Sequence, residues 1–205
     1  MRRTGIRLPS PADCETLPAS MSTQRLFVAL TLPDAVRGVL ASTGTPIPGV
    51  SWTRPEQLHV TLRFLGDVAA DQQKAVLLRL ATVRVEPFIL PVEGLSVFPP
   101  PNRPPSVLWI GVGSGHPRLF QLRQRLDDAL IAAGLQLDVR LFHPHVTLGR
   151  ATEDAAKSVA HWLHVHREFS APPFRVESFE LYSSELHPSG ASHTLIRSFP
   201  LTSKP

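Results

Sequence analysis

Residues 58–62 read Leu-His-Val-Thr-Leu, and residues 144–148 read Pro-His-Val-Thr-Leu. A His-Val-Thr-Leu tetrad thus occurs in each half of the chain. Because successive side chains of a β-strand point to opposite faces, the histidine and threonine of each tetrad share one face, and the valine and leucine enter a core. The two tetrads are His59, Val60, Thr61, Leu62 and His145, Val146, Thr147, Leu148. The recurrence indicates either a repeated structural strand or two halves of one active site.

Each tetrad lies in a similar order of predicted elements: strand, helix, tetrad strand, helix, strand. Apolar alternation and short apolar runs predict strands at residues 25–30, 58–65, 88–98, 106–112, 139–149, 175–183 and 193–199. Apolar spacing predicts helices at 33–42, 116–133 and 152–165, and one from between Asp67 and Asp71 to about residue 82. Thr152 is the expected N-cap of the last helix, and residues 187–190 predict a turn. The repeated order indicates a weak internal duplication.

If the two halves pack around a pseudo-twofold axis, both tetrad strands face one cleft. In-line displacement at phosphorus needs a base on the entering oxygen and an acid on the leaving oxygen, and histidine serves both roles because its pKa lies near neutrality. The hydroxyls of Thr61 and Thr147 can donate to the non-bridging oxygens. Two arginines can add positive charge. Arg150 follows the second tetrad, and Arg63 follows the first at an even spacing from His59, so that alternation puts both side chains on one face of the strand. The pattern therefore predicts phosphodiester chemistry without a metal ion.

A structural role for the histidines and a metal site are the alternatives. A single His-x-Thr in a strand favours a structural histidine, whereas recurrence of the whole tetrad favours catalysis. The candidate metal ligands are His143, His145, His161, His164 and His166. They lack a nearby cysteine and a His-Glu-x-x-His pair, and His161 and His164 are typical of an exposed helix end. We therefore predict no metal ion and no cofactor.

The chain has 205 residues and a formal net charge of +4 with neutral histidines. This length suits one compact domain, which we predict over residues 23–205 after a disordered tail at residues 1–22, with Met21 as a candidate start. The mild positive charge is compatible with a phosphate-bearing partner and equally with an ordinary basic surface. Cys14 is the sole cysteine, so no intramolecular disulfide can form, which fits a cytoplasmic protein. No apolar run is long enough to span a membrane.

Longer blocks of sequence contain or flank the tetrads, and together they resemble one known family. These blocks are residues 25–33, 58–67, 107–112, 142–150 and 178–201. They are similar to the 2H phosphoesterase superfamily and, within it, to RNA 2′,3′-cyclic phosphodiesterases, also called 2′-5′ RNA ligases. The resemblance covers about residues 25–201 and leaves the N-terminal tail outside.

The resemblance implies an α+β fold of two pseudo-symmetric lobes, whose antiparallel sheets form a V-shaped cleft flanked by helices. It implies hydrolysis of the terminal 2′,3′-cyclic phosphate of RNA to a 2′-phosphomonoester, with His59 as proton donor and His145 as proton acceptor. Thr61, Thr147 and Arg150 would bind the phosphate. Strict alternation puts Arg150 on the opposite face of the strand from His145. A bulge or strand twist must therefore return Arg150 to the face of the histidine.

The implied partner is RNA with a 2′,3′-cyclic phosphate end, with tRNA fragments among the candidates, and we expect a cytoplasmic monomer. Weak 2′-5′ ligation of RNA halves is a further expectation. Two other interpretations stay open: a phosphodiesterase for small cyclic phosphates derived from nucleotides, and an RNA-end binding protein without turnover. Phe27 and Phe64 are candidate base-stacking residues, with core packing preferred, and His193 stands where the family is expected to have an aromatic residue such as tyrosine.

Overall fold

The computed structural model describes residues 23–100, 103–138, 141–187 and 190–202. The strands are β1 (Thr23–Thr31), β2 (Val50–Trp52), β3 (His59–Ala69), β4 (Phe88–Phe98), β5 (Val107–Val112), β6 (His145–Ala151), β7 (Ser170–Val176), β8 (Ser178–His187) and β9 (Gly190–Pro200). The helices are α1 (Asp34–Ala41), α2 (Ala70–Leu80), α3 (Pro117–Ala132) and α4 (Ala156–Val165). The predicted tail at residues 1–22 lies outside the described residues, as does the middle of the predicted turn at 187–190, so both stay predictions.

The predicted elements match the observed ones, with four local differences. The strand predicted at 139–149 begins only at His145, because residues 141–144 lie outside any strand. The predicted strand at 175–183 is two strands, because β7 ends at Val176 and β8 begins at Ser178. The three-residue strand β2 escapes prediction because it is too short for a period of two to show. Thr152 is not the N-cap of α4, since it precedes a 3-10 turn (Glu153–Ala155), and its hydroxyl donates to the carbonyl of Gly49 at 3.3 Å and not to the first turn of a helix.

The strands form an antiparallel sheet in the order β7-β4-β5-β6-β3-β1-β8-β9, with β2 paired to β6. At its centre, β3 and β6 pair in the described residues only at Val60 and Val146. By contrast, β1 pairs with β3 along its full length, Thr23–Thr31. The sheet therefore consists of two four-stranded halves that meet at one residue pair, with β2 beside them. The predicted α+β architecture of two antiparallel lobes is confirmed.

The halves of the sheet do not coincide with the halves of the sequence. Along the chain, β1-α1-β3-α2-β4 is followed by β5-α3-β6-α4-β7. In the sheet, however, β4 pairs with β5 and β7, and the C-terminal strand β8 pairs with β1. Each half of the sheet therefore contains strands from both halves of the sequence.

One hydrophobic core lies between the sheet and its helices. The tetrad residues Val60 and Val146 are fully buried in it, as are Leu122 and Leu126 of α3. Burial of the alternate tetrad residues leaves the histidines and threonines on the other face of the sheet, as alternation requires. Among the helices of the described ranges, none has the length and hydropathy to cross a bilayer.

Candidate active site

One cleft, with a volume of about 540 Å³, takes in both tetrads. Its lining includes His59, Thr61, His145, Thr147 and Arg150. The structure thus brings together the five site residues that the family resemblance implies. The two imidazoles come from different lobes, so the cleft exists only where the lobes meet.

The single residue pair between β3 and β6 sets how the tetrads face each other. Val60 lies opposite Val146. In an antiparallel register, the residue before each valine lies across from the residue after the other valine. Each histidine is therefore placed across from the threonine of the other tetrad, which surrounds the cleft with imidazoles and hydroxyls in alternation.

A β-bulge in each tetrad changes the alternation after its leucine. In β6, Thr147 and Gly149 pair with consecutive residues of β5, so Leu148 is the extra residue. In β3, the same shift makes Leu62 the extra residue opposite β1. The bulge at Leu148 returns Arg150 to the cleft face. The conflict between strict alternation and a phosphate-binding role for this arginine is thereby resolved.

Arg63 does not enter the cleft, and its predicted parity with His59 is wrong. The bulge turns Arg63 into the protein, where it is 8% exposed. Its guanidinium donates to both carboxylate oxygens of Asp127 in α3, at 2.8 and 2.7 Å, and to the Asp138 carboxylate at 2.9 Å. Arg63 therefore fastens β3 to α3 and adds no charge to the cleft.

The two candidate stacking residues both lie on the cleft side of the sheet and differ in exposure. Phe27 is 2% exposed, stands outside the hydrophobic core cluster and packs in the cleft wall against the ring of His59. Phe64 is 62% exposed and lines the cleft, so core packing is the wrong role for it. Two further cations of the cleft lining, Arg25 and Arg54, were missed by sequence reasoning. A lone arginine in a strand, such as Arg25, or in a connection, such as Arg54, carries no pattern that would have found it.

Backbone carbonyls orient both imidazoles in the same way. The Nδ1 atom of His59 lies 2.7 Å from the carbonyl oxygen of Gln57, and that of His145 lies 2.7 Å from the carbonyl oxygen of His143. A carbonyl oxygen only accepts, so Nδ1 carries the proton of each neutral ring and Nε2 carries the lone pair. In His59, Nε2 lies 3.0 Å from the Thr61 hydroxyl. Nε2 is thus the nitrogen of both rings that can exchange a proton with a ligand.

A stacked pair of aromatic rings from the two neighbouring strands supports each tetrad histidine. In the first lobe, Phe27 and Tyr182 stack with centroids 5.4 Å apart, and Phe27 is 5.2 Å from the imidazole. In the second lobe, Phe98 and Trp109 stack at 4.9 Å and contact the imidazole at 5.3 and 5.9 Å. The two pairs restrict the rings to the orientation that the backbone hydrogen bonds select.

His193, on β9, is a third imidazole at the cleft. Its ring lies edge-on to His59 at 5.4 Å and to Phe27 at 4.9 Å between centroids. The position expected to hold an aromatic residue is therefore filled by a titratable ring in contact with the first tetrad.

Burial lowers the pKa of both tetrad histidines below the ordinary value of 6.5. The Nδ1 hydrogen bonds oppose this effect because they favour the charged ring. Positive charge on His193 and His145 lowers the pKa of His59 further, and His143 acts likewise on His145. Burial also lowers the pKa of His193. All three rings of the cleft therefore lose a proton readily, and a bound anion would favour their protonated forms.

The histidines considered as metal ligands lie in two separate places, since His143 and His145 are neighbours with 6.0 Å between ring centroids, whereas the others belong to α4 and its C-terminal end. His161 and His166 line a separate groove of about 510 Å³ beside α4. His143 packs edge-on against Trp109, with 4.5 Å between ring centroids. Within the part of the chain that the structure describes, no three His, Cys, Asp or Glu side chains are grouped to hold a metal ion.

Three known proteins are similar to this chain, two in sequence and one in structure. An RNA 2′,3′-cyclic phosphodiesterase of Aeropyrum pernix is 39% identical over 115 residues, which cover 56% of this chain and 63% of that protein. A protein of the same name from Archaeoglobus fulgidus is 33% identical over 178 residues, covering 85% of this chain and 99% of the relative. The crystal structure of E. coli LigT complexed with 3′-AMP matches with a TM-score of 0.72 and 27% identity, over 88% of this chain and 99% of that one.

A family-wide comparison reaches both halves of the chain. The model described as LigT like phosphoesterase matches residues 30–109 and residues 110–192. Each matched segment contains one tetrad, which agrees with the predicted internal duplication. With two His-Val-Thr-Leu strands at one cleft and a family match in each half, the chain belongs to the LigT-like phosphoesterase family of 2H phosphoesterases.

Proposed function

We propose that the protein is an RNA 2′,3′-cyclic phosphodiesterase that hydrolyses a terminal 2′,3′-cyclic phosphate to a 2′-phosphomonoester without a metal ion. The observation that carries the proposal is the pair of imidazoles on one cleft, each with Nε2 as its exchangeable nitrogen. The names of the relatives from Aeropyrum pernix and Archaeoglobus fulgidus support the same activity.

The reaction needs one proton acceptor and one proton donor on opposite sides of phosphorus. Nε2 of His145 takes a proton from water as the water oxygen attacks phosphorus in line with the bond to O3′. Nε2 of His59, protonated beforehand, gives its proton to O3′ as that bond breaks. The bond to O2′ stays intact, so each turnover consumes one water and leaves a 2′-phosphate and a 3′-hydroxyl. The proton on His145 then exchanges with solvent, and His59 is protonated again.

Donors around the cleft stabilise the negative charge that gathers on the non-bridging oxygens. The hydroxyls of Thr61 and Thr147 each lie beside the opposite tetrad's histidine in the register. The guanidinium of Arg150 offers two parallel N–H donors, which suit a phosphate. Such preorganised donors act most strongly as charge develops in the transition state.

The cleft favours the end of an RNA chain over a small cyclic phosphate alone. Phe64 exposes its ring to the cleft, and a base can stack on such a surface. Arg25 and Arg54 extend the positive charge beyond the tetrads, where the next phosphates of a chain would lie.

The decisive experiment is incubation with an oligonucleotide that ends in a 2′,3′-cyclic phosphate, in excess EDTA, with chromatographic separation of 2′- and 3′-phosphate products. We expect the 2′-phosphate at a rate that EDTA does not change. A 3′-phosphate product would mean that O2′, and not O3′, is the leaving oxygen. Binding without turnover would favour an RNA-end binding protein. Turnover of cyclic mononucleotides but not of oligonucleotides would favour a small-molecule phosphodiesterase.

Four further expectations belong to the proposed function. We propose that the protein acts as a monomer in the cytoplasm, on RNA ends such as those of tRNA fragments. In weak 2′-5′ ligation, an RNA 5′-hydroxyl would replace water as the group that attacks the cyclic phosphate. This activity stays a prediction.

A further inference from the structure

A groove of about 710 Å³ lies away from the tetrads, between α2, α3 and the connection from α2 to β4. Four arginines and two acidic residues line it, and all six are exposed: Arg79, Arg84, Arg118, Arg125, Glu86 and Asp128. The groove therefore carries a positive charge balance that the proposed chemistry does not use.

Two of these guanidinium groups are available to a ligand. Arg118 forms an ion pair with Glu86 at 2.6 Å, and Arg84 donates to two main-chain carbonyls. The guanidinium groups of Arg79 and Arg125 make no hydrogen bond or ion pair with any residue that the structure describes. An unpaired, exposed guanidinium presents a planar fork of donors that matches a phosphate.

The shape of the groove places these cations along its two walls. Arg118, Gln121 and Arg125 recur at helical spacing on one side of α3. Arg79, from the end of α2, lies on the other wall. The floor between them contains the buried side chains of Val83, Val85 and Ala129, and the lining of this groove includes no aromatic ring. Such a groove can follow a chain of phosphates but cannot stack bases.

The groove lies on the opposite side of the sheet from the cleft. Arg63 points away from the cleft and pairs with Asp127 of α3, so α3 covers the far face of the tetrad strand. A helix layer adds about 10 Å to the thickness of the sheet. A short oligonucleotide held by its cyclic end in the cleft therefore cannot contact the groove, whereas a longer RNA can pass around the sheet.

We propose that this groove binds the sugar–phosphate backbone of the RNA whose cyclic end lies in the cleft. The inference rests on the proposed RNA phosphodiesterase activity and deepens it, since it makes long or folded RNAs the preferred substrates. Recognition is by charge, independent of base sequence, because arginines without aromatic partners contact phosphate.

The test compares a dinucleotide with a long hairpin RNA, both ending in the same 2′,3′-cyclic phosphate. The variant is Arg79→Gln combined with Arg125→Gln. We expect kcat/KM on the hairpin to fall about tenfold. Because two phosphate contacts are removed, the plot of log binding constant against log salt concentration should also become less steep, by about 1.5. The dinucleotide should be hydrolysed as by the wild type. The matched control is Arg167→Gln combined with Arg175→Gln, which removes the same charge from exposed positions elsewhere.

Several outcomes would overturn the proposal. These are an unchanged hairpin kcat/KM in the groove variant, an equal loss in the control variant, and an equal loss on the dinucleotide. Competition by poly-glutamate as strong as that by RNA would instead identify a site for acidic proteins. Fluorescence anisotropy of a labelled hairpin measures binding without turnover. A protein that hydrolyses neither substrate, yet binds the hairpin more tightly than its groove variant, would contradict the proposed activity and leave the groove proposal standing.

Discussion

The two tetrads share a sequence, a bulge and a pattern of hydrogen bonds, yet the residues that follow them differ in role. In the first lobe, Arg63 is buried against Asp127 and Phe64 enters the cleft. In the second lobe, Gly149 takes the buried position and Arg150 enters the cleft. A duplicated strand thus presents an aromatic ring from one wall of the site and a cation from the other.

The short strand β2 accounts for this difference. It pairs with β6 beside Gly149, and a Cβ atom there would lie 3.0 Å from the carbonyl oxygen of Ser51 and 3.2 Å from the ring of Trp52. Within the described ranges, no comparable strand pairs with β3 beside Arg63. That position therefore has room for a long side chain that reaches α3. The local environment decides which half of the repeat can contribute a buried arginine.

The largest effect should come from the feature that the two lobes share. Since each histidine supplies one of the two proton transfers, His59→Ala and His145→Ala should each lower kcat by about 10²- to 10⁴-fold. Steady-state kinetics on an oligonucleotide with a cyclic phosphate end measures the loss, and circular dichroism checks the fold. A near-native rate in either variant would show that one lobe suffices for proton transfer.

The next effect concerns the arginine that the first lobe buries. Asp127→Ala leaves Arg63 without its two-point partner, so the free energy of unfolding should fall by about 3 kcal/mol, measured by urea denaturation. The kcat of the folded variant should stay near that of the wild type, because the pair lies on the far face of the sheet. Asp128→Ala, at the exposed neighbouring position, is the control, and an equal loss of stability in both variants would contradict the structural role of Asp127.

The arginine of the second lobe should behave in the opposite way. Arg150→Gln removes a charged donor from the phosphate, which should lower kcat/KM about tenfold and leave the unfolding free energy unchanged. Arg150→Lys keeps the charge but not the planar fork, so it should recover part of the loss. If Arg150→Gln destabilised the protein without affecting turnover, the contrast between the two arginines would fail.

The aromatic wall should show a smaller effect, confined to binding. Phe64→Ala removes a stacking surface worth about 1 kcal/mol per base, so KM for an oligonucleotide should rise about fivefold with kcat unchanged. Leu78→Ala, which removes an exposed apolar side chain from α2, is the control for a general surface effect. An unchanged KM in Phe64→Ala would mean that the base does not use this wall.

The smallest expected effect is a shift in the pH dependence of kcat/KM, which reflects the surroundings of the two histidines. The proton acceptor must be neutral and the proton donor charged, and the pKa of each lies below 6.5. The kcat/KM profile should therefore be bell-shaped, with its alkaline limb below that value, because the donor loses its proton as the pH rises through its lowered pKa. His193→Phe keeps a ring but removes a positive neighbour of His59, so the alkaline limb should move slightly upward. A profile flat well above 6.5 would contradict this account.

Alternation and repetition were sufficient to locate the tetrad strands and to pair their histidines. Val60 and Val146 anchor those strands in the core, and this burial is what a period of two predicts. The bulges at Leu62 and Leu148 could not be predicted, because a bulge depends on how a strand pairs with its neighbour. That is why the face of Arg63 was predicted wrongly, although the face of its histidine was not.

The strand order was equally beyond sequence reasoning. The aromatic supports join residues far apart in the chain, such as Phe27 with Tyr182. Recognising them requires the knowledge that β8 lies beside β1. Periodicity identifies what a strand buries, whereas pairing partners depend on the tertiary packing of the whole sheet.

The exchange of strands between the lobes has a consequence for how the chain folds. β4 completes the second lobe, and β8 and β9 complete the first, so neither half of the sequence contains all the strands of a lobe. Pairs such as Ala29 with Glu180 close loops of nearly the whole described chain, and contacts of such long range form slowly. The active site therefore assembles late, when the C-terminal strands dock beside the N-terminal one, and the two lobes should melt as a single cooperative unit.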